Sequence, residues 1–364
     1  MATYPKNSYT DYTIGWICAL PLEMAAAKAM LDEIHPPLPR KSSDDNIYTL
    51  GTLQGHNIVI ACLPSGVYGL SSATTVAIRM TNTFQAIRFG LMVGIGGGVP
   101  SKQTDIRLGD IVVSKPSGVF GGVVQYDYGK TIDSGRFQRT GSLNKPPPTL
   151  LAALADLEAN HMIGLSQIPA YLDQMLTRYP AMSRIFAYPG PQQDVLFEAE
   201  YVHVNNPLDN DGTCRECSAS RVVYRSPRPS PDQPRIHYGL IASGNQVMRD
   251  GVTRDRVSRD LGGGSGILCF EMEAAGLMDH FPCLVIRGIC DYSDSHKNKQ
   301  WQAYAAAVAA AYAKELLAVI PARQTPGRND MVDSDVPARD TRDMEGPSGT
   351  PRRGQAMQVC NILS

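Results

Sequence analysis

The sequence predicts an α/β protein whose sheet is buried on both faces. Apolar, strand-like runs such as "YTIGWICA" at residues 12–19 alternate with helix-like stretches such as "LEMAAAKAMLDEI" at 22–34. The same alternation returns late in the chain, where "CLVIRGICD" at 283–291 precedes an alanine-rich stretch. Strands that alternate with helices form mainly parallel sheets, and strands covered by helices on both faces are almost continuously apolar. An apolar content of 43% and a charged content of 19% are those of a globular protein.

The first zone, residues 12–165, contains regularly ordered elements. A strand over 12–19 and a helix over 22–34 come first. Residues 47–63 have two strand-like halves around Gly55, which predicts a hairpin. The later predicted elements are a helix over 71–84, a strand over 89–100 that ends in glycines, and a strand over 108–114.

The composition changes after this zone. Residues 166–235 are rich in Pro, Asp, Arg and Ser, and we interpret them as an insertion. The α/β pattern then resumes, with strands over 237–244, 266–272 and 283–291 and helices over 252–261, 273–281 and 301–320. Residues 321–364 have little apolar content and are predicted to be a disordered tail. Residues 1–320 are therefore predicted to form one catalytic domain that contains the insertion.

The charge and the cysteines limit the possible partners and compartments. A formal net charge of −1 gives no electrostatic reason to bind nucleic acid or an anionic membrane. The start of the sequence has no basic region followed by an apolar stretch, so we expect no signal peptide. The alanine-rich helix contains Lys314 and Glu315, which is not typical of a membrane span. The eight cysteines are scattered, several in apolar strands, which indicates reduced thiols in a cytoplasmic protein.

The stretch "LCFEMEAAGL" at 268–277 places two carboxylates, Glu271 and Glu273, in an apolar run. A buried ionised carboxylate is costly unless it has partners, so such groups are usually paired, hydrogen-bonded or functional. The residues before Glu273 are strand-like and those after it are helix-like. We therefore predict a buried strand that leads into a helix at Glu273, which is where α/β sheets bind ligands.

Two further acidic residues and a glycine run also follow predicted strands. Glu23 comes just after the first strand, and Asp291 ends the strand "CLVIRGICD". The run "VGIGGGVP" at 93–100 lets backbone approach a ligand closely, although it lacks the spacing of a dinucleotide-binding loop and the lysine of a P-loop. Carboxylates at the ends of three buried strands predict a concave site that contains Glu23, Glu273 and Asp291.

These segments together resemble the nucleoside phosphorylase and nucleosidase superfamily, which includes purine and uridine phosphorylases and methylthioadenosine/S-adenosylhomocysteine nucleosidase. The resemblance covers roughly residues 12–160 and 236–318. The stretches "IGWICALPLEM", "VGIGGGVP", "LGDIVVS", "LIASGNQVM", "FEMEAAG" and "RGICDYSD" occur in the family's order. The chain looks most like a divergent branch common in fungi, which also occurs as the front domain of larger signalling proteins. The resemblance implies a three-layer α/β/α fold with a mixed, partly barrel-like central sheet.

The resemblance implies a purine nucleosidase with two catalytic residues. Glu23 matches the glutamate that activates water, and Asp291 matches the acid that protonates N7 of a purine. Cleavage of an N-glycosidic bond develops positive charge on the sugar and negative charge on the base, so a base for water and an acid for the purine are the groups it needs. Asp291 has to carry a proton for this role, and we expect burial beside other carboxylates to favour the protonated form.

The resemblance also implies the residues that bind the substrate. Glu273 would bind the ribose 2′- and 3′-hydroxyls, Met272 would pack beneath the sugar, and Gly97 would meet the ligand. The base would lie against the "SGNQVM" segment, at Gln246, Val247 and Met248. The implied substrate is a small-molecule purine ribonucleoside.

In the nucleosidases, the "SGNQVM" segment provides an aromatic ring that stacks on the purine, and Val247 has no ring at the matching position. A base–aromatic stack contributes roughly 1–3 kcal/mol. We therefore predict that the insertion provides a ring from Phe197, with Tyr201 four residues later on the same face of a helix. The alternative is that this pair only anchors the insertion to the core.

Two other functions remain open. Phosphorylases bind phosphate with arginines, whereas here the first-strand loop has Glu23, and the glycine strand has Met92 and Ile95 at the usual Arg and Ser/Thr positions. Water is therefore the predicted nucleophile, because a carboxylate repels phosphate. Phosphorolysis with an arginine from a partner subunit or from the insertion is the first alternative. A nucleoside-sensing domain with little catalysis is the second, although it would have no need for the attacking base.

The remaining signals concern metal, cofactor and assembly. "CREC" at 214–217 has the spacing of a zinc-binding pair, with His203 upstream. A closed zinc site needs four ligands, so a surface turn is the favoured interpretation and neither a metal nor a cofactor is expected. From the resemblance we expect a homo-oligomer, with a dimer favoured.

Overall fold

The computed structural model describes residues 7–133, 137–204, 213–261 and 266–322. The predicted disordered tail lies outside these residues except for Pro321 and Ala322. The strands are β1 (Ile14–Cys18), β2 (Glu33–His35), β3 (Tyr48–Leu53), β4 (His56–Cys62), β5 (Phe89–Gly98), β6 (Ile111–Ser114), β7 (Val123–Gln125), β8 (Gly129–Thr131), β9 (Phe137–Arg139), β10 (Ile236–Ser243), β11 (Ile267–Glu271) and β12 (Cys283–Asp291). The α-helices are α1 (Pro21–Met30), α2 (Leu70–Thr83), α3 (Pro148–Met162), α4 (Ile168–Arg178), α5 (Ser183–Phe186), α6 (Gly251–Leu261) and α7 (Gln302–Ala318).

The central sheet is mixed and partly closed. Its strand order is β11-β10-β6-β12-β5-β1-β4-β3-β2, and β11 also pairs with β5. This extra pairing closes β5, β12, β6, β10 and β11 into a five-stranded barrel, from which β1, β4, β3 and β2 extend. The pairings of β1 with β4 and β5 and of β5 with β12 are parallel, whereas β12 with β6 and β11 with β5 are antiparallel. The predicted α/β fold with a mixed, partly barrel-like sheet is confirmed.

Helices cover both faces of the sheet because the strand side chains alternate between them. In β1, Trp16 packs in the cluster that contains α1, α3, α4 and α7. Its neighbour Ile17 packs on the opposite face, in the cluster that contains α2. Every residue of β12 is buried, as the continuously apolar run at 283–291 predicts.

Helix α7 lies almost wholly in the core. Its residues from Ala303 to Leu317 are buried, and the small alanine side chains let the helix approach β5 and β12 closely. The two charged side chains in this run have polar partners: Lys314 Nζ lies 2.7 Å from Asp32, and a Glu315 oxygen lies 2.9 Å from His161 Nε2. Among the described helices, none has both the length and the hydropathy that crossing a membrane requires.

Two predicted helices differ from the structure. The helix predicted over 273–281 is only a 3-10 turn at Ala274–Gly276. Its first backbone donors bond to side chains, since the Ala274 N–H reaches the Glu271 carboxylate and the Ala275 N–H reaches Ser243 Oγ at 2.9 Å. The helix predicted over 22–34 ends at Met30, and the chain then turns into edge strand β2.

Candidate active site

A cavity of about 640 Å³ lies at the carboxyl ends of β1, β5, β11 and β12. The parallel strands β1, β5 and β12 bring their carboxyl ends to one edge of the sheet, and β11 reaches the same place because its Phe270 pairs antiparallel with Gly97 of β5. Seven residues that the sequence predicts for the site line this cavity: Glu23, Gly97, Gln246, Val247, Met248, Met272 and Glu273.

Asp291 ends β12 directly opposite Gly97 of β5. A side chain at Gly97 would place its Cβ 2.6 Å from Asp291 Oδ1, so only glycine leaves room for this carboxylate. The Ser293 backbone N–H donates to Oδ1 at 2.9 Å and orients the group. Asp291 itself is not among the residues that line this cavity, but its neighbours Cys290 and Ser293 are.

Lys297 is the charged partner of Asp291, and sequence reasoning missed it. Lys297 Nζ lies 2.8 Å from Asp291 Oδ2 and also lines the cavity. Burial opposes the charge of Lys297, but the Asp291 carboxylate outweighs this effect and the pKa of Lys297 is raised. The expected neighbourhood of other carboxylates around Asp291 is therefore corrected: an ammonium group is in contact with it.

Arg287 holds the glutamates together from within β12. Its side chain is 1% exposed, and its guanidinium pairs with Glu271 and lies 3.5 Å from Glu273 Oε2. A Cβ at Gly94 would lie 2.7 Å from Arg287 Nη1 and would also clash with the Glu23 carboxylate, so Gly94 lets these two side chains meet. A single arginine in an otherwise apolar strand is the sequence signal that could have identified this residue.

The two carboxylates of "FEMEA" have different environments. Glu271 bonds the backbone N–H groups of Glu273 and Ala274 at 3.0 Å and pairs with Arg287, so it shapes the turn. Glu273 faces the cavity and is 6% exposed. Burial raises its pKa to about 7; Arg287 opposes this shift, and the negative charges of Glu271 and Glu23 add to it.

Glu23 caps α1 and also reaches the cavity. Its Oε2 accepts the backbone N–H groups of Ala19 at 2.7 Å and Leu20 at 2.9 Å, and Oε1 accepts that of Ile95 at 2.8 Å. Burial raises the pKa of Glu23, while Arg287 and these backbone donors oppose the rise. A carboxylate offers about four acceptor positions, so one remains for a further donor such as water.

The aromatic pair of the insertion lies away from the cavity lining. The predicted helix over Phe197 and Tyr201 is absent: Phe197 forms a β-bridge with Val222, and a turn follows. The Phe197 ring is buried and stacks on His296, with ring centroids 4.1 Å apart, and Tyr201 stacks on the same histidine at 5.4 Å. This geometry corresponds to the anchoring alternative.

Two other aromatic residues line the cavity. Phe270 lies in β11, where it packs edge-to-face on Tyr126, and Tyr68 lies in the loop before α2 and is 54% exposed. Sequence reasoning missed both rings. Tyr68 is an aromatic residue in a loop and Phe270 directly precedes the paired glutamates, and either position is a signal for a ligand-facing ring.

The chain matches known proteins over most of its length. A sequence profile described as the phosphorylase superfamily matches residues 13–321. A nucleotide-binding leucine-rich repeat (NLR)-like protein from Hyaloscypha variabilis is 49% identical over 317 residues, which are 87% of this chain and 30% of that protein. The chain thus spans less than a third of that relative's length.

Two bacterial relatives are more distant. A 5′-methylthioadenosine/S-adenosylhomocysteine nucleosidase from Mycobacterium tuberculosis is 24% identical over 318 residues, which are 85% of this chain and 97% of that protein. The ATP nucleosidase Cap17 from Escherichia coli is 24% identical over 304 residues, which are 81% of this chain and 48% of that protein. The solved structure of an S. pneumoniae nucleosidase of the first type has a TM-score of 0.51 at 17% identity and covers 85% of this chain and 100% of its own, which shows the shared fold.

Proposed function

This chain belongs to the phosphorylase superfamily, and we propose that it is an N-glycosyl hydrolase that releases the free base and ribose from a purine ribonucleoside. The observation that supports the proposal most is the meeting of carboxylates from separate strand ends at one cavity. Glu23 and Glu273 line it, and Asp291 lies against its glycine wall.

In the proposed reaction the C1′–N9 bond breaks and its electron pair goes to the base. Asp291, although it is in contact with Lys297, has to carry a proton at this step; it gives that proton to N7, so the base leaves as a neutral molecule. Water attacks C1′ and gives a proton to Glu23, which lines the cavity and has one acceptor position left. Glu273 accepts the ribose hydroxyls and holds the sugar in register. The proton gained by Glu23 replaces the one lost by Asp291 through exchange with solvent.

We predict that turnover does not depend on phosphate. The cationic side chains among the described cavity-lining residues are Lys297, which is paired with Asp291, and Lys299. Glu23 lies where a phosphate would need a positive partner, and a carboxylate repels that dianion. Free ribose should therefore form at the same rate in phosphate-free buffer and in buffer with phosphate. Formation of ribose 1-phosphate, or loss of activity without phosphate, would establish phosphorolysis instead.

A purine nucleotide is the second candidate substrate. Lys299 is exposed and lines the cavity, so it could meet 5′-phosphates, and one relative is named an ATP nucleosidase. Comparing ATP with adenosine in the same assay distinguishes the two substrates. A nucleoside-sensing domain, which suits the NLR-like relative, would bind either ligand and release no base.

The rate should depend on pH through the glutamate cluster. Ribose hydroxyls donate best to an ionised carboxylate, and burial raises the pKa of Glu273 to about 7. We therefore expect kcat/KM to rise with pH on an acidic limb whose apparent pKa is near that value. This apparent pKa belongs to the interacting carboxylates together. A pH–rate profile measures it, and Glu273→Gln should remove the limb; a limb unchanged in that variant would contradict the assignment.

Location and assembly remain proposals of the same kind. The described cysteines are free thiols, which is typical of a reducing compartment, so we propose a cytoplasmic protein. We also propose that the protein is a homodimer. Measuring its molar mass by light scattering after size-exclusion chromatography would test this.

A further inference from the structure

A second group of side chains with ligand chemistry lies outside the cavity described above. His203, Cys214 and Cys217 are half-buried, and one ligand atom of each lies within 4.8 Å of the others. The two cysteines are held in a tight turn, in which the Cys217 backbone N–H donates to the Cys214 carbonyl at 3.1 Å. A Cys-x-x-Cys turn with a histidine nearby is the arrangement that zinc sites use.

We propose that His203, Cys214 and Cys217 bind a zinc ion. Two thiolates and one imidazole are preferred zinc ligands, with Zn–S near 2.3 Å and Zn–N near 2.0–2.1 Å. A tetrahedron of those lengths places its ligand atoms about 3.3–3.8 Å apart, so separations of up to 4.8 Å have to shorten by about 1 Å when the metal binds. Three protein ligands leave the fourth position to a water molecule.

His296 gives an independent reason to expect a bound group here. Its ring is 6% exposed, and neither ring nitrogen has a hydrogen-bond partner among the described residues. The Asp294 carboxylate is 3.7 Å from Nδ1, which is too far for a hydrogen bond. A buried polar atom without a hydrogen-bond partner destabilises the fold, so such atoms usually indicate a missing ligand or water.

His296 lies beside the proposed zinc ligands. The rings of His203 and His296 meet edge to face, with centroids 5.5 Å apart. Cys214 and His296 line the same cavity of about 350 Å³. A zinc-bound water in this cavity would be a hydrogen-bond partner for His296, which accounts for its burial without a protein partner.

The metal would stabilise the contact between the insertion and the loop that follows Asp291. The His203 backbone N–H already donates to Ser295 Oγ at 2.9 Å, and Phe197 of the insertion stacks on His296. Asp291 also lines this cavity of about 350 Å³. Zinc bound here would hold His203 and the two cysteines of the insertion beside the loop that contains Asp291 and Lys297.

The test is metal content in the full chain purified under reducing conditions. We expect about one zinc per chain by mass spectrometry of the metal. In the Cys214→Ser and Cys217→Ser variants the zinc content per chain should fall at least about tenfold. Cys62→Ser is the matched control, because Cys62 is also a half-buried free thiol but lies in β4. The Cys62→Ser variant should retain its zinc. Reconstitution of the unsubstituted chain with Co²⁺ should give a thiolate-to-cobalt absorption band.

If the cysteine variants do not fold, the measurements on the unsubstituted chain still test the zinc proposal. Less than about 0.1 zinc per chain together with no cobalt–thiolate band would overturn the proposal. A Cys214–Cys217 disulfide found by thiol counting, without metal, would also overturn it. So would zinc that remains in both folded cysteine variants, because the ion would then be bound elsewhere.

Discussion

The Asp291→Asn variant is expected to lose about 10²–10⁴-fold in kcat, the range that a general acid contributes. Asparagine keeps the size of the side chain and the acceptor for the Ser293 backbone N–H, so the turn at the end of β12 should persist. It cannot give a proton to the departing base, and it leaves the Lys297 ammonium without its carboxylate. The measurement is base release under saturating substrate, with the melting temperature as a check on folding.

Asp294→Asn is the matched control for this prediction. Asp294 lies in the same loop, is 5% exposed, and accepts the His296 backbone N–H at 2.9 Å through an oxygen that asparagine retains. Its carboxylate faces Arg254 and His296, whereas that of Asp291 lies against Gly97 and Lys297, which line the larger cavity. Replacement of Asp294 should therefore change kcat far less. Equal losses in both variants would mean that the loop, and not a proton from Asp291, determines the rate.

Much of this site could be predicted because strand ends are visible in a sequence. Glu23 and Asp291 follow β1 and β12, which run parallel to β5 and bring their carboxyl ends to one edge of the sheet. Glu273 follows β11, which reaches the same place through its antiparallel pairing with the end of β5. The glycines opposite Asp291 and near Glu23 could be predicted for the same reason, since close approach of backbone and side chain excludes a Cβ. These inferences need only local patterns and the direction of the strands.

The partners of these residues could not be predicted, because they depend on packing between distant segments. Lys297 lies in a polar loop, and nothing local indicates that it pairs with Asp291. Periodicity also failed where side chains take the backbone donors, as Glu271 does at the predicted helix over 273–281. The helix predicted for Phe197 and Tyr201 failed because the two rings pack on His296 from an irregular segment.

Arg287→Met is expected to lower the free energy of unfolding by about 3–5 kcal/mol, the usual cost of removing one partner of a buried ion pair. Methionine fills a similar volume, but it leaves the carboxylates of Glu23, Glu271 and Glu273 in the core without their shared cation. Urea unfolding at neutral pH measures the loss. Arg79→Met is the control, because Arg79 pairs with Asp45 at the surface and an exposed pair contributes about 0–1 kcal/mol.

The pH dependence of the stability lost in Arg287→Met identifies the cause of that loss. Burial raises the pKa of Glu273 to about 7 and also raises that of Glu23, with Arg287 opposing both shifts. Without Arg287 the pKa values of both glutamates should rise further. A carboxyl group whose pKa is raised by folding stabilises the folded state at low pH, and this stabilisation is lost as the pH rises through the raised pKa. Arg287→Met should therefore be closer to the parent in stability at about pH 5 than at pH 8, because protonation neutralises the unpaired glutamates. A deficit of the same size at both pH values would show that lost packing, and not unpaired charge, destabilises the variant.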